Sequence, residues 1–221
     1  MRNALRALVA TAALAATVAI AAPASAVTPI ITLSSFGDAD TLPGGQQLIA
    51  DFNNPAIPNA VLDPSTFTLT LNGATVGFNE GGSGYSGTLY NDPTHYLTIP
   101  GGASTELTST KGLKYFSLYM GSPDTYNTIR FIGANGYDVT VPGTTLVAGD
   151  TNQSWSWGKR VNFNFGDDRV DHIILSSSGN SFEADNFAGG VPEPATWGLM
   201  IMGFGGMGAV LRRRRTAATF A

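Results

Sequence analysis

The residues of this chain best suited to hold an ion are acidic side chains near the two ends of its central part. Asp38 and Asp40 lie close to the start, and Glu183 and Asp185 lie close to the end. Carboxylates beside backbone carbonyls are the oxygen ligands that Ca²⁺ prefers. We therefore predict a structural calcium site that uses Asp38, Asp40 and Asp185. The alternative is that these residues are solvated acids in turns and edge strands, because no contiguous calcium-binding loop is present.

Two tyrosines at strand spacing form a candidate sugar-binding surface. In a strand over residues 115–120, alternation places Tyr115 and Tyr119 together on the polar face. Exposed rings of this kind stack on pyranose rings, and Trp155 and Trp157 in a Ser-rich segment would extend the platform. The alternative is that a loop covers the tyrosines and that at least one tryptophan is core, since large aromatic residues are buried on average.

Residue patterns for catalysis are sparse. The 2 histidines, His95 and His172, lack the spacing of a zinc-binding motif, so each is predicted to be a strand or loop residue with a local hydrogen bond. No nucleophile elbow or phosphate-binding glycine loop opens a helix. We therefore predict a protein without catalytic activity. The alternative is a polysaccharide hydrolase or lyase, because two carboxylates facing across a cleft need no particular sequence spacing.

Short β-strands are the elements that must position these residues. Residues 27–190 show period-two alternation, β-branched and aromatic enrichment, and frequent Gly, Pro, Asn and Asp, without an apolar repeat of helical period. This pattern predicts an all-β domain, a two-sheet sandwich of jelly-roll type. Besides those in the two hairpins below, strands are predicted at residues 30–33, 96–99, 114–120, 161–165, 170–176 and 182–187.

Two Asn-Gly pairs predict hairpin turns. Asn72-Gly73 separates residues 67–71 from 74–78, and a two-residue turn there would place every large apolar side chain on one face. Asn135-Gly136 separates residues 128–132 from 137–141, where the apolar positions pair less cleanly and a longer loop is the alternative.

The charge of the central domain limits its partners. Of the 12 Lys+Arg of the chain, six lie in the terminal segments, whereas only Glu193 of the 16 Asp+Glu does, which leaves residues 27–190 with 15 acidic and 6 basic residues. This balance argues against nucleic acid as a partner and is compatible with divalent cations or neutral polysaccharide. Cysteine is absent, so packing, with or without a bound ion, must stabilise the fold without disulfides.

The N-terminus has the pattern of a signal peptide. Arg2 and Arg6 precede an apolar stretch over residues 8–22, and the small residues Ala24 and Ala26 flank Ser25 in the form that signal peptidase cleaves. We predict that residues 1–26 are removed after Ala26. The alternative, a retained membrane helix, is disfavoured because the apolar stretch is short, rich in alanine and not followed by basic residues.

The C-terminus joins a proline-rich segment to a short apolar stretch and a basic cluster. The arginines oppose translocation across a membrane, so they should stay in the cytoplasm. The segment opens with Val191, Pro192, Glu193 and Pro194, continues with Trp197 and the glycine pair around Phe204, and ends in Arg212, Arg213, Arg214 and Arg215.

These residues closely resemble the PEP-CTERM sorting tail of Gram-negative bacteria, in its tryptophan-containing subclass. The resemblance covers about the last thirty residues and implies recognition by a membrane-embedded exosortase that cuts near Pro-Glu-Pro. Residues 115–129 and 181–187 also resemble a β-sandwich domain of many exosortase-dependent surface proteins. The implied organisation is a signal peptide over residues 1–26, a sandwich over 27–190, a sorting and transmembrane segment over 191–215 and a cytoplasmic tail over 216–221.

The sequence thus predicts an exported protein of the cell surface or extracellular matrix. Its expected role is display, adhesion or carbohydrate binding without catalysis. Its expected partners are signal peptidase, the exosortase, the inner membrane during sorting and envelope polysaccharide, but not nucleic acid. A structural protein that keeps its C-terminal anchor is the remaining alternative.

Overall fold

Strands make up nearly all the regular structure that the computed structural model describes, which covers residues 27–77, 89–90, 92–146, 157–179 and 181–190 with positions 202 and 204. The predicted signal peptide, Trp155 and nearly all of the C-terminal segment lie outside these ranges. Besides strands, the described residues form a 3₁₀ turn (Ala134–Gly136) and a one-turn helix, α1 (Gly143–Leu146). The strands are β1 (Ile30–Leu33), β2 (Gln47–Ala50), β3 (Phe67–Asn72), β4 (Thr75–Gly77), β5 (Tyr96–Ile99), β6 (Ser104–Leu113), β7 (Tyr115–Met120), β8 (Asn127–Gly133), β9 (Asp138–Pro142), β10 (Lys159–Asn164), β11 (Val170–Ser177) and β12 (Phe182–Gly190).

The strands form two antiparallel sheets. A seven-stranded sheet has the order β1-β10-β7-β12-β5-β4, with β2 also paired to β12. A five-stranded sheet has the order β3-β6-β11-β8-β9. The prediction of an all-β, jelly-roll-like sandwich of two sheets is confirmed. Strands β7 and β12 lie in the interior of the larger sheet, so their side chains on both faces are well placed to be covered.

Phenylalanine rings from both sheets meet at the centre of the core. Phe116 of β7 lies with its ring centroid 6.3 Å from Phe163, 6.4 Å from Phe131 and 5.5 Å from Phe187. All four side chains are fully buried. Burial of one such side chain stabilises the fold by roughly 1.5–3 kcal/mol, and edge-to-face ring pairs add to this. These rings therefore hold the two sheets together.

The first predicted hairpin is wrong. β3 pairs with β6 in the smaller sheet, whereas β4 pairs with β5 in the larger one. The chain crosses between sheets at Gly73, whose φ of +82° lies in the region that favours glycine. Leu69 and Val76 still meet in one core, but from opposite sheets. Apolar alternation in two consecutive strands is compatible with a hairpin in one sheet. It is equally compatible with a corner at which the chain passes from one sheet to the other.

The second predicted hairpin is confirmed, with the longer loop. β8 pairs with β9 so that Ile132 lies opposite Asp138, and the 3₁₀ turn fills the connection between them. Asn135 adopts a φ of +59°, which asparagine tolerates better than most residues.

As to membrane spans, no helix in the described part of the chain is long and apolar enough to cross a bilayer.

Candidate functional site

Three polar side chains form a row across neighbouring strands of the larger sheet. Arg160 of β10 lies opposite Tyr119 of β7, and Tyr119 lies opposite Asp185 of β12. All three face away from the sandwich core, yet none is more than 1% exposed. Something outside the sheet must therefore cover this face. Their neighbours along the strands are buried in the core: Val161, Leu118 and Ala184.

The first cover is the loop over residues 34–46, between β1 and β2. The Arg160 Nη2 donates to the carbonyl of Ala39, which is itself buried. The amide of Gly37 donates to the carbonyl of Gly158 at 2.8 Å. The donors and acceptors of these two hydrogen bonds are backbone groups or the buried Arg160 side chain. The loop is therefore held in one position against the sheet.

The second cover is the segment over residues 89–95, which leads into β5 and is described except at position 91. The Tyr119 hydroxyl donates to the carbonyl of Tyr90. The Thr94 Oγ1 lies 3.2 Å from Asp185 Oδ2. Both loops are thus attached to the row formed by Arg160, Tyr119 and Asp185.

Arg160 binds neutral oxygens at the centre of this arrangement. Besides Ala39, its Nη1 donates to the Ser117 hydroxyl at 3.1 Å and to the Asn186 carbonyl at 2.8 Å. The Asn186 carbonyl is available because β12 bulges there, with Asn186 at a φ of +50° and the register shifted after Asp185. Burial lowers the pKa of the Arg160 guanidinium, although nearby aspartates oppose that shift.

A buried pair of carboxyl groups lies at the other end of the row. Asp185 is fully buried and Asp92 is 7% exposed. Thr94 lies between them, with its hydroxyl 2.5 Å from Asp92 Oδ1 and its amide donating to the same oxygen at 3.0 Å. Burial, followed by the hydrogen bond and the charge of Asp92, raises the pKa of Asp185 to about 9. The two carboxyls therefore resist being charged together without a cation.

An exposed aromatic pair lies on the outer side of the two loops. Phe36 of the first loop and Tyr90 of the second have ring centroids 4.1 Å apart at an interplanar angle of 37°. They are 50% and 42% exposed. A Cβ at Gly158 would come within 2.6 Å of the Tyr90 Cβ and 2.7 Å of the Tyr119 hydroxyl, so glycine at 158 permits this close approach. The loops thus present a partly exposed pair of rings that pack against each other.

An open pocket adjoins the loop that carries Phe36. Its volume is about 200 Å³. More of its accessible lining is apolar than polar, and its polar groups include hydroxyls, an amide and a carboxylate that can bind hydroxyl groups. The residues that line it are Thr32, Leu33, Ser34, Asp38, Thr41, Pro43, Arg160 and Asn162.

The predicted tyrosine and tryptophan platform does not form. Tyr119 lies on the predicted face but is buried under the two loops, and Trp157 is 1% exposed. Of the three platform residues that the structure describes, only Tyr115 keeps some exposure, and the Lys114 ammonium lies 5.5 Å from its ring centroid. The prediction that Tyr119 and Trp157 are exposed is therefore wrong. Alternation along a strand specifies which face a side chain takes, but not whether a distant loop covers that face.

The predicted calcium ligands do not converge either. Asp40 is exposed, and Asp38 uses its carboxylate to accept the Thr41 amide at 3.0 Å. In the described ranges, no three His, Asp or Glu side chains are grouped so that they could hold a metal ion. The three aspartates instead surround Arg160, whose guanidinium all of them favour electrostatically. Asp92 was not predicted from the sequence, because Asn-Asp-Pro-Thr has the composition of an ordinary turn.

One histidine behaves as predicted. His172 of β11 lies beside Glu106 of β6, with 2.7 Å between its Nδ1 and the Glu106 Oε1, on the outer face of the smaller sheet. This is a partly exposed surface pair. The Glu183 carboxylate is buried at the start of β12 and accepts the Ser181 hydroxyl.

Comparison with known families identifies the C-terminal segment. Residues 190–215 match the family model of the PEP-CTERM protein-sorting motif. The chain carries a PEP-CTERM sorting motif. Its presence indicates an exported protein, in agreement with the resemblance noted from the sequence. The matched region starts at Gly190, the last residue of β12, which still pairs with Tyr115 of β7. The motif therefore follows an interior strand of the sandwich directly.

Comparison with solved structures matches carbohydrate-binding modules and a glucanase at low identity. TmCBM61, solved in complex with β-1,4-galactotriose, is 11% identical with a TM-score of 0.35, over 66% of this chain and 99% of its own. The family 11 carbohydrate-binding module from Clostridium thermocellum, in complex with a β-1,3-1,4-mixed-linked tetrasaccharide, is 14% identical with a TM-score of 0.28, over 68% and 98%.

The catalytic unit of the GH87 α-1,3-glucanase from Streptomyces thermodiastaticus strain HF3-3 is 17% identical with a TM-score of 0.30, over 59% of this chain. The match spans about a quarter of the glucanase unit, 26% of its length. A search of curated proteins finds no match to the chain.

Proposed function

We propose that the protein is sorted to the cell surface or extracellular matrix of a Gram-negative bacterium, where its sandwich binds envelope polysaccharide without catalysing a reaction. The observation that carries the binding role is the exposed pair of Phe36 and Tyr90, which two anchored loops hold at the surface. The PEP-CTERM motif at residues 190–215 supports the location.

The aromatic pair suits a sugar ring for physical reasons. A pyranose presents C–H groups on its faces, and an aromatic face attracts them while its own apolar surface leaves water. Since Phe36 and Tyr90 already pack against each other, little side-chain entropy is lost on binding. The first loop also supplies polar groups to the adjoining cavity, among them Ser34, Asp38 and Thr41, which can bind sugar hydroxyls.

The processing steps follow from the two terminal segments. We propose that signal peptidase cleaves after Ala26 and that an exosortase acts near Pro192–Pro194 while Arg212–Arg215 stay in the cytoplasm. The inner membrane is then a transient location, and the mature protein consists of the sandwich. An unprocessed protein anchored by its tail is the competing case.

The buried carboxyl pair supports a binding role over an enzymatic one. A glycoside hydrolase of the usual kind needs two carboxyl groups that reach a substrate from opposite sides. Asp92 and Asp185 are close together, but at 7% and 0% exposure they lie beneath the loops rather than in a cleft. They are therefore suited to hold the loops and not to transfer protons to a bound polysaccharide.

Replacing either exposed ring should weaken glycan binding without unfolding the protein. We expect Phe36→Ala and Tyr90→Ala each to reduce affinity several-fold, because one stacked ring contributes on the order of 1 kcal/mol. A glycan array identifies a ligand for the full chain, and a titration then gives the affinity of each variant. Ile57→Ala, which removes an exposed apolar side chain of the segment between β2 and β3, is the matched control. The role of the pair is refuted if a bound glycan retains its full affinity for both variants.

A further inference from the structure

We propose that Asp92 and Asp185 share one proton, and that this proton holds the segment over residues 89–95 against strand β12. The attachment of the segment then depends on pH and weakens as the solution becomes alkaline. The proposal is independent of glycan binding, because it concerns how the segment that carries Tyr90 is fixed to the sheet.

The first support is the number of hydrogen atoms available to the two carboxyl groups. Asp92 Oδ1 accepts the Thr94 amide at 3.0 Å. Asp185 Oδ1 accepts the Asn186 amide at 2.7 Å. The Thr94 hydroxyl lies 2.5 Å from Asp92 Oδ1 and 3.2 Å from Asp185 Oδ2, but its single hydrogen can be donated to only one of them.

The remaining oxygen shows where the further hydrogen belongs. Asp92 Oδ2 is buried, and apart from Asp185 the described residues offer it no donor. A protonated Asp185 carboxyl donates to Asp92 and leaves the Thr94 hydroxyl free to donate to Asp92 as well. One proton on the pair therefore supplies the hydrogen that two ionised carboxylates would lack.

The second support is the burial of both groups. Asp185 is 0% exposed and Asp92 is 7% exposed, so two negative charges there would be poorly solvated and would repel each other. A shared proton removes one of these charges. Burial, followed by the hydrogen bond and the charge of Asp92, accordingly raises the pKa of Asp185 to about 9.

Other titratable groups lie on the elements around the pair. Arg160 favours ionised carboxylates by its charge, but it donates its hydrogen bonds to the neutral oxygens of Ser117, Ala39 and Asn186. All these groups are kept in the variants used below, so comparison with wild type isolates the pair. The groups are Tyr90 and His95 of the segment, Tyr96 of β5, Tyr119 of β7, Arg160 of β10, Glu183 of β12 and Asp38 of the first loop.

The shared proton gives stability a pH dependence of known sign. Folding raises the pKa of Asp185 from its ordinary value of 3.8 to about 9, so between these values the folded protein keeps a proton that the unfolded chain releases. The stability from this proton is fully present below the lower value and is lost as the pH rises towards the higher one. In that window, one proton makes the unfolding equilibrium constant rise about tenfold per pH unit.

Urea unfolding of wild type and Asp185→Asn from about pH 5 to about pH 8 tests the proposal, with the full chain in a mild detergent. The amide that replaces the carboxyl has nearly the same size and can donate to Asp92 at every pH. We expect the unfolding constant of wild type to rise about tenfold more per pH unit than that of Asp185→Asn. Asp40→Asn, at an exposed neighbouring carboxylate, is the matched control and should follow wild type.

Hydrogen exchange at the Thr94 amide tests whether the proton holds this segment in particular. When the segment opens locally, Asp185 meets water and ionises, so the protection factor of this amide should fall with rising pH in wild type and stay constant in Asp185→Asn. Parallel stability curves for wild type and Asp185→Asn would overturn the proposal, because no proton on Asp185 would then be linked to folding. A pH-independent protection factor in wild type would overturn it as well, by showing that the pair does not hold the segment.

Discussion

Arg160→Ala is expected to destabilise the protein by about 3–5 kcal/mol, because three oxygens inside the structure lose their hydrogen-bond donor. The guanidinium donates to Ser117, Ala39 and Asn186. Both covering loops should loosen, since the first is bound by Arg160 directly and the second lies against the same row. Urea unfolding of wild type and variant measures the change.

The matched control is Arg130→Ala. Arg130 forms an ion pair with Asp138 at 2.5 Å, but both side chains are about half exposed, at 48% and 46%. Exposed pairs contribute little to stability, because water screens them and ordering two long side chains costs entropy. Equal shifts in the urea midpoint for Arg130→Ala and Arg160→Ala would contradict the role assigned to the buried row.

The second large effect is expected in the core. Phe116→Ala should cost about 3–5 kcal/mol, because it leaves a cavity among the rings of Phe131, Phe163 and Phe187. These rings come from both sheets, so the neighbouring backbones have little freedom to close the space. The same urea experiment measures the loss. Phe36→Ala removes the same side chain from a half-exposed site and should change stability far less.

Strands with large apolar residues at every second position could be predicted from the sequence. The strands predicted at residues 30–33 and 96–99 have the same bounds as β1 and β5, and residues 115–120 point Phe116, Leu118 and Met120 into the core as alternation requires. The local pattern was sufficient here, because the alternation of apolar and polar side chains shows which face of the strand is buried.

Strand β6 lacks the apolar alternation by which the other strands could be predicted. It runs for 10 residues, but its buried positions include Thr105 and Ser109 beside Leu107. Threonine and serine are small enough to be covered by neighbouring strands, so they pack inward without the apolar alternation that marks a strand. Short β2 was missed as well, since four residues offer too few positions to establish a period.

The candidate site depends on contacts that no local pattern contains. Tyr119 and Asp185 become neighbours only through the pairing of β7 with β12, and Asp92 reaches Asp185 only because the second loop folds over the sheet. Asp185 was predicted from the sequence as a candidate ligand together with Asp38 and Asp40, whereas the fold places Asp92 beside it through Thr94. The aromatic residues that are exposed, Phe36 and Tyr90, lie in loops where strand alternation does not apply.

The central claim is that the chain is exported and cut at both ends. Intact mass measurement of the protein recovered from the cell surface tests it most directly. The account predicts a chain that begins at Val27 and ends near Pro192–Pro194, without the arginine cluster. Surface protein whose mass includes the segment through Ala221 would contradict C-terminal processing and favour the tail anchor. A mass that includes Met1 would contradict export through a cleaved signal peptide.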